Sequence, residues 1–136
     1  MQKQRKSQPS NRVLVVGGGM GGIRAALDLA EAGRDVVLIE KAYAVGGLMA
    51  KLDRTFPTNN CDVCTLSPKL SESGRQLPLD IMTMTEVEGI SGEPGDFTVR
   101  LRKHARFVDT TKCTGCGDCA TACPIIRPDE FNVQMS

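Results

Sequence analysis

The sequence lacks long apolar runs, internal repeats and, almost entirely, histidine. No apolar stretch approaches the ~20 residues of a membrane span, so none is expected. The single histidine, His104, sits among Arg102, Lys103 and Arg106 with no recognisable catalytic partner. No Ser-His-Asp grouping, phosphate-binding P-loop or zinc-protease helix is present, so hydrolytic chemistry lacks its residues. An excess of one charge is missing too: 17 Lys and Arg face 16 Asp and Glu, for a net charge of +1. The local exception is Lys3, Arg5, Lys6 and Arg12, with no acid among them. No aromatics are interleaved there and the rest of the chain is slightly acidic. A solvated tail is therefore favoured over a nucleic-acid arm. The apolar core of a secretory signal is also lacking, which predicts a cytoplasmic protein. Six cysteines in such a compartment point to metal or redox chemistry rather than structural disulfides.

What is present suits a globular chain. The 136 residues make one domain, or one and a fraction. Hydrophobic residues account for 40%, and 14 glycines bring the apolar share near the globular average. Arg12-Val13-Leu14-Val15-Val16 reads as a buried strand, followed at once by Gly17-Gly18-Gly19-Met20-Gly21-Gly22. Ile23 to Ala32 is rich in helix formers and stops at Gly33. Asp35 to Glu40 is a second buried strand. Strand, glycine turn, helix and strand in this order form a βαβ unit with parallel strands. After Glu40 the pattern loosens, with a loop over residues 53–68 and a short helix from Lys69 to Gly74. Leu79 to Thr83 reads as a third strand, with Met82 and Met84 on one strand face. Glu86–Ser91 and Phe97–Arg102 flank a turn at Gly92-Glu93-Pro94-Gly95 and predict a β-hairpin.

Gly17, Gly19 and Gly22 form G-x-G-x-x-G between a strand and a helix. The first permits a tight turn, the second lets backbone approach a pyrophosphate, and the third lets helix and strand pack closely. The helix N-terminus offers free N–H groups to the phosphates. Glu40 ends the next strand, a position suited to ribose hydroxyls. The pair Gly46-Gly47 soon after this acid favours FAD over NAD.

Cys113, Cys116, Cys119 and Cys123-Pro124 give C-x2-C-x2-C-x3-C-P, the bacterial ferredoxin run for a [4Fe–4S] cluster. Zinc sites instead usually show two separated pairs. In two-cluster ferredoxins the fourth cysteine serves the other cluster, whose own run is not found here. Cys61 and Cys64 leave several readings open. They could be metal ligands of another or the same cluster, a redox dithiol near the flavin, or inert thiols.

Together these residues resemble the A-type subunit of heterodisulfide reductase, an iron–sulfur flavoprotein family. The likeness runs through Val15 to Ala30, Gly46 to Asp53, Thr55-Phe56-Pro57-Thr58, Asn60 to Leu70 and Cys113 to Cys119, spanning roughly residues 12–128. It implies a thioredoxin-reductase-like fold with an inserted ferredoxin domain, FAD and [4Fe–4S] cofactors, and electron transfer between them in anaerobes. Gly17, Gly19, Gly22, Glu40, Gly46 and Gly47 would then bind FAD, and Cys113, Cys116, Cys119 and Cys123 would ligate clusters. The implied partners are other heterodisulfide-reductase-like or electron-transfer subunits, with neither nucleic acid nor a membrane span. Family members are far longer, so the chain is expected to be a truncated or split version. The expected fold is α/β: a disordered basic tail at 1–11, a Rossmann-like FAD-binding βαβ unit with a β-hairpin over 12–108, and a partial ferredoxin-like segment over 109–136. Two competing readings are a non-catalytic remnant or binding module, and a glutamate-synthase-small-subunit-like flavoprotein. The cysteine runs of the latter precede the glycine loop rather than follow it.

Overall fold

A computed structural model describes residues 12–75, 78–126 and 128. The basic tail expected at residues 1–11 lies outside the described residues, as do residues 129–136 of the cysteine-bearing segment. The chain divides into two compact units, one ending at Ala105 and one beginning at Arg106. In the first unit the elements run β1 (Arg12–Val16), α1 (Met20–Glu31), β2 (Asp35–Glu40), a 3-10 helix (Gly47–Lys51), β3 (Arg54–Thr55), β4 (Asn60–Cys61), α2 (Asp62–Ser73), β5 (Leu79–Thr83), β6 (Thr85–Glu93) and β7 (Asp96–Lys103). The second unit holds one short helix, α3 (Asp118–Thr121).

β1, β2 and β5 form a parallel sheet with β2 in the middle. Val13 pairs with Val36 and Val36 with Leu79, and the register continues to Glu40 opposite Thr83. The continuous apolar run Val36–Ile39 is buried, as a central parallel strand requires. α1 buries Ile23, Ala26, Leu27 and Ala30, an i, i+3, i+4, i+7 stripe. That stripe packs with Val36, Leu38 and Leu66 into the core. Gly33, at φ +76°, ends the helix, its N–H bonding the Ala30 carbonyl and the Arg34 N–H bonding that of Leu29. This is the Rossmann-like βαβ unit expected from the sequence, and β6 and β7 supply the expected antiparallel hairpin, turning at Pro94-Gly95.

Three local expectations need correction. α1 begins at Met20, not Ile23, because Gly19 serves as its N-cap and the last glycines of the loop form its first turn. Residues 62–68 are not loop: α2 starts at Asp62 and runs through Pro68. Proline removes one helical donor, but the stripe Asp62, Leu66, Leu70 and Ser73 faces inward, and its burial outweighs the lost bond. Met84 does not continue the face of Met82. It bends the chain at φ +56° between β5 and β6, its N–H on the Ala42 carbonyl and its carbonyl accepting from the His104 N–H.

Leu38 is fully buried between α1 and the sheet. Leu38→Ala is expected to cost about 2–5 kcal/mol, read from the midpoint of urea unfolding.

Candidate functional site

The glycine loop lies where the parallel strands β1 and β2 end, the side of such sheets on which ligands bind. Gly17 takes φ +102° and its N–H bonds the Ile39 carbonyl at 2.8 Å. A Cβ on Gly22 would overlap the Gly17 carbonyl oxygen, so α1 can approach the end of β1 only with glycine there. At Gly17, Gly19 and Gly21 a Cβ would instead meet open space. The first helical bond inside α1 runs from the Ile23 N–H to the Gly19 carbonyl, no side chain caps the helix, and no acid lies in its first turn. Its leading N–H groups therefore face the open side of the loop as a site for an anion.

Glu40 closes the other side. One carboxylate oxygen accepts from the Gly18 N–H at 2.6 Å and the other from the Ala42 N–H at 2.8 Å. The acid thus braces the loop as well as standing at the end of β2. Gly18, which the motif leaves unspecified, is buried, and a Cβ there would come within 2.8 Å of Val45 and 3.1 Å of Glu40. The pair Gly46-Gly47 folds directly onto the loop. Gly46, at φ +119°, donates its N–H to the Gly18 carbonyl at 2.7 Å, and a Cβ on Gly47 would lie 3.0 Å from the Gly19 Cα. A recess of about 290 Å³ beside Gly17 is lined by Val16, Ile39, Glu40, Lys41, Thr85, Glu86 and Val87. All six glycine and acid positions singled out in the sequence therefore meet in one place, and Gly18 joins them. Its signal was the unbroken triplet Gly17-Gly18-Gly19.

Cys61 and Cys64 form a disulfide, with their Cα atoms 5.3 Å apart. Cys61 is also the N-cap of α2, its sulfur accepting from the Cys64 N–H at 3.2 Å. The basic edge of the hairpin is largely compensated: Glu88 pairs with Arg100 and Arg102, and the His104 ring lies 2.9 Å from Glu86.

In the second unit, Cys113, Cys116, Cys119 and Cys123 are free and exposed. Gly115 and Gly117 adopt φ +73° and +86° and curl the loop between them. Asp109 introduces the run: its carboxylate accepts from the Thr111 N–H and hydroxyl, at 3.0 and 2.7 Å, and its carbonyl accepts from the Cys113 N–H at 2.9 Å. No residue from Arg102 to Ile126 is buried. Among the described residues, no three His, Cys, Asp or Glu side chains are gathered as a metal site. The donor chemistry, four free thiols on a glycine-curled loop, suits a thiolate-held cluster, but the sulfurs are not drawn together.

Residues 12–114 match the family model described as FAD dependent oxidoreductase, and residues 107–133 match one described as a 4Fe-4S binding domain. In Methanopyrus kandleri, the second form of the iron-sulfur A-type subunit of CoB–CoM heterodisulfide reductase is 48% identical over 127 residues, which are 93% of this chain and 19% of that protein. A protein of Archaeoglobus profundus described as similar to the A-type subunit of heterodisulfide reductase is 47% identical over 129 residues, covering 93% and 18%. The chain thus spans about a fifth of the length of the curated relatives it matches. Among solved structures, thioredoxin reductase of T. acidophilum superposes with a TM-score of 0.55 at 23% identity, covering 67% of this chain and 30% of that one. L-proline dehydrogenase of P. horikoshii gives 0.54 at 25% identity, covering 70% and 20%. These likenesses agree with the Rossmann-like fold.

The bracing role of Glu40 is measurable. Glu40→Ala leaves the Gly18 and Ala42 N–H groups without their acceptor, and a loss of about 1–3 kcal/mol is expected in denaturant unfolding. Asp109 supplies a pH dependence. The hydrogen bonds from Thr111 hold its carboxyl below the ordinary carboxylate value of 3.8. A depressed acid stabilises its turn above that value and releases it as pH falls through the lowered one. In an acid titration followed by NMR, the Thr111 amide is expected to keep its bonded shift at pH 3.8 and to lose it only at lower pH.

Proposed function

We propose that this chain, which belongs to the FAD dependent oxidoreductase family, is an electron-transfer module of a protein like the A-type subunit of heterodisulfide reductase. When bound, FAD exchanges electrons in pairs and a [4Fe–4S] cluster exchanges them singly, and that conversion is the chemistry the two groups supply. The observation that carries the reading is a complete glycine loop with an open helix N-terminus, followed in the same chain by four free thiols at ferredoxin spacing.

The residues divide the work as follows. The N–H groups at the start of α1 receive the pyrophosphate of FAD, and the absent side chains at Gly17 and Gly19 leave it room. Glu40 uses one lone pair of each oxygen on the loop and keeps the others for ribose hydroxyls. Gly46 and Gly47 hold the second loop against the first, which fixes the entrance. Cys113, Cys116, Cys119 and Cys123 would supply thiolates to clusters, the fourth to a cluster other than that of the first three. None of the described residues of this stretch is buried, so metal–thiolate bonds would supply the cohesion that a core does not. No side chain here needs to act as a general acid or base.

The reading places the chain in the cytoplasm beside other electron-transfer subunits. No helix among the described residues is long and apolar enough to cross a membrane. The relatives that support it are named as subunits of CoB–CoM heterodisulfide reductases.

The test is anaerobic purification of the chain, followed by a visible spectrum, a released-flavin assay, and iron and acid-labile sulfide counts. The expected result is flavin absorption with about four iron and four sulfide per cluster. Colourless, iron-free protein that takes up neither FAD nor reconstituted iron and sulfide would overturn the reading and leave a non-catalytic binding module.

A further inference from the structure

We propose that Cys61 and Cys64 form a redox-active disulfide that exchanges with thiols, independently of the flavin and cluster assigned above. Three observations carry this. The bond joins residues three apart, so it closes almost the smallest loop possible and removes little entropy from the unfolded chain. A structural staple would span more. Next, the two sulfurs are inequivalent. Cys61 is half-buried, caps α2 and accepts the Cys64 N–H, whereas Cys64 is exposed. The β3–β4 ladder also sets Arg54, whose guanidinium lies 3.9 Å from the exposed Asp53 carboxylate, directly opposite Cys61 as a cross-strand neighbour. Negative charge is therefore better supported on the Cys61 sulfur than on that of Cys64. Last, Asp62, between the two cysteines and covalently next to Cys61, is fully buried, and neither carboxylate oxygen has a hydrogen-bond partner among the described residues. An unpartnered buried carboxyl needs an explanation, and a redox or catalytic role is one of the few available.

The asymmetry sets the direction of exchange. An external thiolate attacks the exposed Cys64 sulfur and forms a mixed disulfide there. The Cys61–Cys64 bond breaks and its electron pair leaves on Cys61, the better-supported thiolate. A second external thiolate then attacks the external sulfur of the mixed disulfide, releasing Cys64 as a thiolate. Two external thiols are oxidised to one disulfide, the protein disulfide is reduced to a dithiol, and the two protons the thiols gave up go to the two cysteines. In reverse, the Cys64 thiolate attacks an external disulfide and releases one external thiolate, and the Cys61 thiolate then attacks the Cys64 sulfur and releases the other. The substrates are thus thiols and disulfides, with glutathione as the probe.

The test uses the full chain, purified anaerobically and equilibrated across ratios of reduced to oxidised glutathione. Free thiols are blocked with iodoacetamide, oxidised ones are then reduced and labelled with N-ethylmaleimide, and the peptide carrying both cysteines is read by mass spectrometry. Cys61 and Cys64 are expected to change label together as the ratio changes. Cys61→Ser and Cys64→Ser separate the two roles. Serine is itself a favoured helix N-cap, and the residue-64 N–H survives in the second variant, so far-ultraviolet circular dichroism is expected to match the parent in both. After reduction, Cys61→Ser, which keeps the exposed Cys64, is expected to form its mixed disulfide with oxidised glutathione several-fold faster than Cys64→Ser, whose remaining thiol is half-buried. Equal or reversed rates would overturn the assignment. So would labels that stay fixed at every ratio, or cysteines that resist both reagents until iron is chelated, since iron ligation would then be their role. Flavin and iron content is not read in this experiment, so its failure stays separate from failure of the electron-transfer reading.

Discussion

The carbonyl oxygen of Gly17 occupies the space where a side chain on residue 22 would have to go. This backbone contact lets α1 sit against the end of β1, and the rest of the candidate site is stacked on it. Once the helix is that close, the loop between has no room for bulk. Gly18 fits under Val45 and Glu40 only as glycine, and its N–H and carbonyl are then taken by Glu40 and Gly46. The second loop is positioned by the first through the Gly46 bond and the close approach of Gly47 to Gly19. An arrangement held by backbone groups is stiff, because it involves few rotatable side chains. Such stiffness suits a site that orients a cofactor rather than performing acid–base chemistry itself.

The two units are held together by different kinds of force. In the first, Ile23, Leu27, Val36, Leu38 and Leu66 form an apolar core of the ordinary kind. In the second, local hydrogen bonds around Asp109 and Gly117 shape the loop, but no described residue is buried. Hydrophobic burial does not organise the described part of that segment. In the proposed reading, thiolate bonds from its four exposed cysteines would do so, and its folding would then depend on the metal.

Much of this was legible in the sequence. Apolar β-branched runs bordered by glycine placed β1 and β2, and the Pro-Gly turn placed the hairpin. The glycine and acid positions of the loop converge because local backbone geometry, which the motif encodes directly, is all they need. What escaped notice depended on tertiary contacts. α2 carries Pro68 in its interior and an acid on its buried face, so its local signals argue against helix, and only packing against the core decides otherwise. The bend at Met84 is set by bonds to Ala42 and His104, residues far away in sequence on either side. Residue spacing left the partner of Cys61 open, since a C-x-x-C pair suits ligation and disulfide formation alike. The bond between Cys61 and Cys64 emerges only once the start of α2 is built.

The joint between the units carries a consequence of a different kind. The His104 N–H is still tied to the Met84 carbonyl, and two residues later the chain already belongs to the second unit. Because the hydrogen bonds that shape the segment around Asp109 and Gly117 are local, that segment can open and close without breaking the register of β6 and β7.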